Sequence, residues 1–482
     1  MPPGRWPTRD SLAPGRTLPE VWQRLWADRP HAPVLVEGSR RGGVVDGAAL
    51  DRRTARMVAV LAERGVGPGD RVLWRAGATI ESVEALLAVL RAGAVLVPVS
   101  PSARSPEVAH VVRDAAPALA LSGEPDPGDL FGPGLTVLGV DQLAAEAEHA
   151  RTGTDRPLGP GDDALIVYTS GTTGKPKGAV HTHASLLAGI AALHSAWAWT
   201  AEDRLVLSLP LYHVHGLCAG LFGTLAAGAS AAVFDRFDPV AVLDAAPHCT
   251  MFFGVPTMYH RLAASGRARE LAALRLCVSG SAPLPADLWH RLAGGGVAVL
   301  ERYGMTETLL TLSNPLAGER RPGSVGVPLP GVEAAVEDPD EQGVGELLVR
   351  GPSLCRGYWG RQPPAGEWFA TGDLVSVADD GYVTIRGRRT EMIISGGHNV
   401  YPAEVEAVLS RHPGVAEVAV VGVPSAEWGE TVVAYVVGDP DLASLDELAA
   451  TELAPFKRPR EVRIVDALPR NALGKVVRGE LR

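Results

Sequence analysis

The segment with the clearest chemistry is a loop of glycines, hydroxyl side chains and lysines at residues 168–178, YTSGTTGKPKG. Its glycines let backbone N–H groups approach an anion closely, its hydroxyls add donors, and Lys175 and Lys177 add positive charge. The loop follows residues 165–167, an apolar run that predicts a buried strand. We therefore expect it to bind the phosphates of a nucleotide. The residues expected to contact them are Thr169, Ser170, Gly171, Thr172, Thr173, Gly174 and Lys175.

This loop differs from the GxxxxGK[ST] motif of P-loop NTPases. Lys175 is followed by Pro176, and position 169 is threonine instead of glycine, so a conventional P-loop is disfavoured. A flexible surface loop would explain the glycines, but it would not explain eleven residues that combine Ser, Thr, Gly and Lys.

A second candidate residue is Arg302, which follows the apolar run at residues 297–300. Because side chains alternate across a strand, Glu301 and Arg302 should face opposite sides, and the glutamate need not neutralise the arginine. A buried, unpaired arginine needs an anion, which a negatively charged ligand would supply. The alternative is a structural arginine bonded to a loop carbonyl or to an acid elsewhere.

The elements around these residues predict an α/β fold. Helix-like stretches alternate with short apolar runs up to about residue 325, a pattern typical of parallel sheets covered by helices. Short strands separated by Gly and Pro then predict a β-rich subdomain. We expect a large N-terminal domain at residues 1–389 and a small α+β C-terminal domain at residues 390–482.

Composition excludes several other classes of protein. The 45 basic and 55 acidic side chains give a net charge of −10, which argues against nucleic acid as a partner. The four cysteines form no CxxC pair, so neither zinc nor a disulfide framework is expected, and a reducing, cytoplasmic location is predicted. We expect no secretory signal in the N-terminal residues, which lack an apolar run, and the uncharged residues 217–234 suit a buried helix and strand better than a membrane span.

Taken with the motifs further along the chain, YTSGTTGKPKG resembles the phosphate loop of the adenylate-forming superfamily, which includes acyl-CoA synthetases, peptide-synthetase adenylation domains and luciferases. The resemblance covers nearly the whole sequence. It implies ATP, Mg²⁺ and coenzyme A as cofactors and a small carboxylic acid as substrate, with no membrane partner. It also implies that the C-terminal domain is a mobile lid.

The nucleotide roles follow from the motifs RYGMTE and TGD. The resemblance implies that Tyr303 lies against adenine, Thr306 meets the phosphate, and Glu307 binds Mg²⁺, for which a carboxylate is a suitable hard ligand. It also implies that Asp373 and Arg388 bind the ribose hydroxyls. Taken alone, YGMTE is more typical of a plain turn between a strand and a helix.

The acyl pocket is expected at PLYHVHGL and VSGSAPLP. The resemblance implies that His213 gates the reacting carboxylate and that His215 approaches the acyl group, although a histidine in an apolar stretch is often only a core residue. It places Ser279, Gly280 and Ser281 near adenine and the acyl chain. An ordinary turn would also be rich in such small residues.

The C-terminal motifs GRRTEMIISGGHNVYP and LPRNALGK complete the resemblance. Gly396 and Gly397 would line a narrow pantetheine tunnel, and Lys475 would reach the reacting carboxylate and the α-phosphate. The hinge position, commonly Asp or Lys, is Thr390, and Glu391 stands where Asp is usual. These departures bear on the kinetics of domain rotation.

Within the superfamily, the segment around Arg302 is similar to malonyl-CoA synthetases, so we expect malonate or methylmalonate as substrate. A medium-chain or aryl acid–CoA ligase, or a stand-alone adenylation domain that loads a carrier protein, is the alternative enzyme. A nucleotide-binding pseudoenzyme that senses acyl-adenylates is the alternative from another class, and intact Glu307, Asp373 and Lys475 disfavour it.

Overall fold

The structure is a computed structural model that divides into two compact units. Unit 1 comprises Met1–Glu333 and Val349–Phe369, and unit 2 comprises Ala334–Leu348 and Ala370–Arg482. The boundary at residue 389, predicted between the N-terminal domain and the mobile C-terminal domain, stays a prediction. The residues that the structure describes are 15–38, 43–124, 130–153, 156–169, 176–362, 366–425, 427–470 and 476–481.

The helices and strands follow the alternation that the sequence predicts. In chain order, the α-helices of the described residues are α1 Leu18–Asp28, α2 Gly47–Glu63, α3 Ile80–Arg91, α4 Ser105–Ala115, α5 Val140–His149, α6 His183–Ala196, α7 Gly223–Ala226, α8 Pro239–Ala245, α9 Pro256–Ala264, α10 Ala286–Gly294, α11 Pro402–Leu409 and α12 Leu442–Glu452. The strands are β1 Pro33–Glu37, β2 Val44–Asp46, β3 Arg71–Arg75, β4 Val95–Pro98, β5 Leu119–Ser122, β6 Val137–Gly139, β7 Asp163–Thr169, β8 Lys177–Thr182, β9 Arg204–Leu207, β10 Ser230–Val233, β11 Met251–Gly254, β12 Leu276–Ser279, β13 Val299–Met305, β14 Leu309–Ser313, β15 Val327–Pro328, β16 Glu333–Glu337, β17 Gly345–Arg350, β18 Gly357–Tyr358, β19 Phe369–Val377, β20 Val383–Arg388, β21 Ile393–Ser395, β22 His398–Val400, β23 Val415–Ser425, β24 Gly429–Gly438 and β25 Glu461–Ile464.

Unit 1 contains two large sheets. The nine-stranded sheet has the order β15-β14-β13-β12-β11-β9-β10-β1-β2, and its central strands, from β13 to β1, are parallel. The seven-stranded sheet has the order β18-β8-β7-β4-β3-β5-β6, with a parallel core and an antiparallel β7–β8 hairpin at one side. Parallel neighbours direct their carboxyl ends to the same edge, where ligands bind in open α/β sheets.

Both faces of the seven-stranded sheet are buried, which explains the continuous apolar runs in its sequence. In β3, Val72 and Trp74 join the main core between helices and sheets, whereas Leu73 joins a second core on the opposite face. The second core also contains Val108 and Val111 of α4. Helix α4 therefore covers the same face of the seven-stranded sheet as Leu73, in the part of the sheet that includes the β7–β8 hairpin.

Unit 2 contains two smaller sheets. One has the order β16-β17-β19-β20, and the other joins β22, β21, β24 and β23, with β25 pairing in parallel beside β24. Residues of β23 and β24 alternate between two cores, with Val420 and Val432 packing with α11 and α12 in one and Val421 and Val433 lying in the other. The prediction of an α/β fold with a small C-terminal α+β part is confirmed.

The uncharged stretch at residues 217–234 forms buried helix and strand, as predicted. It begins inside the π-helix His215–Phe222, continues through α7, and ends in β10. A π-helix is rare and is frequently found at functional sites. Among the described residues, the structure contains no helix that is long and apolar enough to cross a membrane.

Candidate active site

The predicted phosphate loop connects the two strands of the β7–β8 hairpin. Tyr168 pairs with Gly178 and Thr169 pairs with Lys177, so the hairpin brings the two ends of the loop together. The Thr169 hydroxyl lies 3.5 Å from the Lys177 carbonyl oxygen. The predicted phosphate ligands that lie outside the described residues are Ser170, Gly171, Thr172, Thr173, Gly174 and Lys175.

The motif YGMTE connects β13 to β14 as a hairpin, not as the strand-to-helix turn that it suggests in isolation. Gly304 is required there because a Cβ at this position would collide with the Leu309 carbonyl oxygen. The Thr306 carbonyl accepts a hydrogen bond from Nε2 of buried His181, on β8, at 2.8 Å. Burial lowers the pKa of His181 to about 4, so the imidazole is neutral. Its hydrogen bond connects Thr306 to β8, the strand that follows the phosphate loop.

The carboxylate of Glu307 is buried and has a defined partner. The Tyr358 hydroxyl donates to Glu307 Oε1 at 2.9 Å, and the Lys177 ammonium lies 5.5 Å from the centre of the Tyr358 ring. Desolvation and the nearby glutamate raise the pKa of Tyr358, so it stays a hydrogen-bond donor at neutral pH. Tyr358 therefore contacts both the predicted metal-binding carboxylate and Lys177 of the phosphate loop.

Glu301 and Arg302 are both buried, but their surroundings differ. The Glu301 carboxylate accepts hydrogen bonds from the backbone N–H groups of Leu284, at 3.2 Å, and Gly323, at 2.9 Å. Arg302 has no hydrogen-bond partner for Nε or Nη2 among the described residues. Burial lowers the pKa of Arg302 to about 9, which still leaves it protonated at neutral pH. Arg302 is therefore a buried cation with unused donors.

Other buried polar groups without partners lie along the same carboxyl edge of the nine-stranded sheet. In the described part of the chain, both ring nitrogens of His215 and the hydroxyls of Ser279 and Ser208 lack hydrogen bonds. Burial lowers the pKa of His215 well below its ordinary value, and the charge of Arg302 adds to this effect. Because buried polar groups are normally paired, these unpaired groups mark this edge of the sheet as a candidate binding site for a polar ligand.

The remaining predicted pocket residues lie on the same elements. Gly280 packs against the guanidinium of Arg302, so closely that a Cβ would collide with it. Ser281 follows with φ of +71°, a strained conformation for a residue other than glycine. His213 packs edge-to-face on Tyr212, just before the π-helix, and Tyr303 lies in β13 with its hydroxyl 3.9 Å from Met305 Sδ. His213 also contributes to the lowered pKa of His215.

In unit 2, the structure brings the two predicted ribose ligands together. Asp373 pairs with Arg388 across β19 and β20, and Arg388 Nε lies 2.6 Å from Asp373 Oδ1. Asp373 is buried, and its backbone N–H donates to the Thr371 hydroxyl at 3.1 Å. This ion pair fixes the orientation of the carboxylate that is predicted to meet the ribose.

The glycines predicted to line a pantetheine tunnel have a local structural reason. Gly396 and Gly397 form the two-residue turn between β21 and β22, and both have positive φ, +58° and +80°. A turn of this type strongly favours glycine. Thr390 is exposed in the short turn Arg389–Glu391. Lys475 lies outside the described residues.

Sequence analysis missed the roles of three residues that the structure connects to this site. His181 and Tyr358 hold the YGMTE hairpin and its carboxylate, and Glu301 connects the loops that contain Leu284 and Gly323. The available signals were a histidine three residues after the phosphate loop and a glutamate inside an apolar strand. Tyr358 lies 51 residues from Glu307, so no local pattern could have identified their contact.

Comparisons with known proteins give the family of the chain. Residues 22–359 match the AMP-binding enzyme family, and residues 404–475 match the C-terminal domain of AMP-binding enzymes. A feruloyl-CoA synthase of an Amycolatopsis species is 38% identical over 94% of this chain and 96% of that protein. A malonate–CoA ligase of Arabidopsis thaliana is 36% identical over 86% of this chain and 78% of that protein. The ATP-bound crystal structure of MatB from Rhodopseudomonas palustris superposes with a TM-score of 0.89, at 38% identity over 97% and 98% of the two chains.

Proposed function

Because the chain belongs to the AMP-binding enzyme family and is an ATP-dependent, adenylate-forming acyl-CoA synthetase, we propose that its acid substrate is a small dicarboxylate, malonate or methylmalonate. The observation that carries the proposal is Arg302, a buried cation whose Nε and Nη2 have no partner among the described residues. The far carboxylate of a dicarboxylate would accept hydrogen bonds from both nitrogens, as arginine and carboxylate commonly do.

The neighbours of Arg302 support an anionic ligand of small size. Gly280 packs directly against the guanidinium, where a Cβ would collide with it, and His215 and Ser279 add buried donors that lack partners in the described structure. A second carboxylate would satisfy several of these groups at once. The similarity to malonate–CoA ligases supports the same substrate class.

In the first half-reaction that we propose, the near carboxylate attacks the α-phosphorus of ATP and pyrophosphate leaves. The phosphate loop would hold the polyphosphate, Tyr303 would lie against adenine, and Lys475 would stabilise the charge that develops. His213 would orient the near carboxylate. Catalysis would consist mainly of positioning and electrostatic stabilisation.

Glu307 fits the chemistry of a magnesium ligand in this scheme. Among the described residues, no group of three or more His, Cys, Asp or Glu side chains is arranged to hold a metal. Mg²⁺ commonly uses one or two carboxylates together with substrate phosphates, so a single carboxylate fixed by Tyr358 is sufficient. When bound, the ion would neutralise charge on the phosphates.

In the second half-reaction, the thiol of coenzyme A attacks the acyl carbon and AMP leaves. Gly396 and Gly397 would line the path of the pantetheine arm, and Asp373 and Arg388 would hold the ribose of the adenylate. Rotation of residues 390–482 about Thr390 would separate the two half-reactions. These assignments rest on the family resemblance and on the local geometry of unit 2.

A panel of acids tests the substrate directly. Pyrophosphate release would be measured with malonate, methylmalonate, butyrate and ferulate, each with and without coenzyme A. We expect the highest kcat/KM with malonate or methylmalonate and thioester formation with coenzyme A. Faster turnover of butyrate or ferulate would refute the dicarboxylate proposal, and adenylation without thioester formation would favour a carrier-protein thiol.

An aryl acid is the second candidate, and two observations favour it. The feruloyl-CoA synthase is 38% identical, and the His215 ring stacks on Phe253 with a centroid distance of 6.1 Å, so an aromatic ring lies beside one of the predicted acyl-pocket residues. A ferulate-like substrate would leave Arg302 without an anion. For this reason the dicarboxylate is the better-supported substrate.

A further inference from the structure

Helix α4 contacts both ends of the phosphate loop through two side chains on one face. His110 and Asp114 are four residues apart, so they are neighbours on the helix surface. His110 Nε2 donates to the carbonyl of Pro176, near the C-terminal end of the loop, at 2.8 Å, and Asp114 Oδ2 accepts from the hydroxyl of Tyr168, the first residue of the loop, at 2.7 Å. The His110 ring also packs edge-on against the Tyr168 ring, at 6.0 Å.

The helix itself is firmly attached to the sheet beneath the loop. Val108, Val111 and Ala115 lie in the second core of unit 1, with Tyr168 and Trp359 packed against that core. Trp359 Nε1 donates to the Asp114 carbonyl at 3.2 Å, and the Trp359 backbone N–H donates to the carbonyl of Gly178, in β8, at 2.8 Å. Helix α4 therefore contacts Tyr168 and Pro176 directly, and it contacts Gly178 indirectly through Trp359.

We propose that His110 and Asp114 are positioning residues that hold the two ends of the phosphate loop at the separation needed to bind the polyphosphate of ATP. Neither residue belongs to the loop motif. The proposal rests on the proposed function, because it takes residues 168–178 as the ATP-binding loop. A loop whose ends are fixed before binding loses less conformational entropy when the nucleotide binds.

The contacts predict a selective kinetic effect. Each hydrogen bond contributes about 0.5 to 1.5 kcal/mol, which corresponds to roughly a two- to tenfold change in an equilibrium constant. The variants His110→Ala and Tyr168→Phe should each raise the KM for ATP about two- to tenfold and leave the KM for the acid unchanged. Thioester formation from a supplied acyl-adenylate should also be unchanged, because that step uses no polyphosphate.

Conservative variants separate positioning from folding. In His110→Gln the amide nitrogen lies near the position of Nε2 and can donate to Pro176, so the KM for ATP should return close to the wild-type value. Asp114→Ala and Tyr168→Phe remove the same hydrogen bond, so their effects on ATP binding should be less than additive in the double variant. Arg113→Ala, an exposed change on the same helix that touches none of these contacts, is the matched control.

The assay is ATP binding by calorimetry, with melting temperature as the check on folding, followed by both half-reactions. Weaker ATP binding in His110→Ala with restoration in His110→Gln would support the proposal. Unchanged ATP binding in folded His110→Ala and Tyr168→Phe, or an equal loss in both half-reactions, would overturn it. If the wild-type protein itself bound no ATP, the proposed function would fail instead, so the two failures are distinguishable.

Discussion

Replacement of Arg302 by leucine tests the dicarboxylate assignment most directly. The wild-type guanidinium is 4% exposed, and its Nε and Nη2 have no partner among the described residues. A hydrogen bond to a charged group contributes about 1.5 to 3 kcal/mol, and about 1.4 kcal/mol corresponds to a tenfold change. Arg302→Leu should therefore lower kcat/KM for malonate by roughly ten- to a hundredfold or more.

The same variant should respond in the opposite sense to a monocarboxylate. With butyrate, the wild-type enzyme must leave a desolvated cation unpaired, and leucine removes that penalty. Butyrate should therefore be used no worse, and its kcat/KM should rise if the apolar side chain packs against it. Because these two nitrogens have no partner among the described residues, the melting temperature should not fall.

Two controls make the assay decisive. Arg302→Lys keeps the charge but loses the planar fork, so it should retain part of the malonate activity. Arg320→Leu removes a half-buried arginine that donates to the backbone carbonyls of Ala298 and Leu316, so it should depress malonate and butyrate alike. If malonate and butyrate fall in parallel in folded Arg302→Leu, Arg302 is structural and the reasoning is refuted.

Three further predictions concern charge and domain rotation. Lys475→Ala should abolish adenylation from ATP but spare thioester formation from a supplied acyl-adenylate, and equal loss of both would exclude the proposed role. Thr390→Pro fixes φ near −65° and should preserve only one half-reaction, whereas two unimpaired steps would place the hinge elsewhere. Burial raises the pKa of Glu301 from 4.5 to about 7, against the opposing backbone N–H groups of Gly323 and Leu284. Between pH 4.5 and about 7, Glu301 binds fewer protons in the unfolded chain than in the folded protein. The wild-type free energy of unfolding should therefore fall by about 3 kcal/mol as pH rises through this range, and then level off. Glu301→Gln should lack this decrease in pH-dependent thermal denaturation, and parallel curves would contradict the pKa.

The sequence predicted the parallel sheets because buried strands are apolar on both faces. The run at residues 71–74 has the pattern of a strand and lies within β3, and residues 48–63 have helical spacing and lie within α2. The π-helix His215–Phe222 was not predictable, since an uncharged run has no polar face to mark its period. The pattern of apolar residues therefore indicates whether a segment forms a helix or a strand, whereas packing determines the geometry of that element.

The binding motifs were recognisable, but the contacts that organise them were not. Gly304 allows the close approach of β14 that turns YGMTE into a hairpin, and Leu309 takes a φ of +57° that propensity would not predict. His181 reaches Thr306 over 125 residues of sequence. Such contacts depend on the order of strands in the sheet, which a single sequence does not encode locally.

The contrast between adjacent Glu301 and Arg302 explains how selectivity could arise at this pocket. Burial disfavours the charge on both side chains, but two backbone N–H groups satisfy the glutamate, whereas Nε and Nη2 of the arginine have no partner in the described residues. A dicarboxylate would restore the hydrogen bonds of that arginine, and a monocarboxylate would leave them unmade. Discrimination by an unpaired polar group is much larger than discrimination by one methylene, which is about 1 to 3 kcal/mol. The pocket would therefore exclude monocarboxylates strongly through the cost of leaving Arg302 unpaired, while it would distinguish malonate from methylmalonate only weakly through shape.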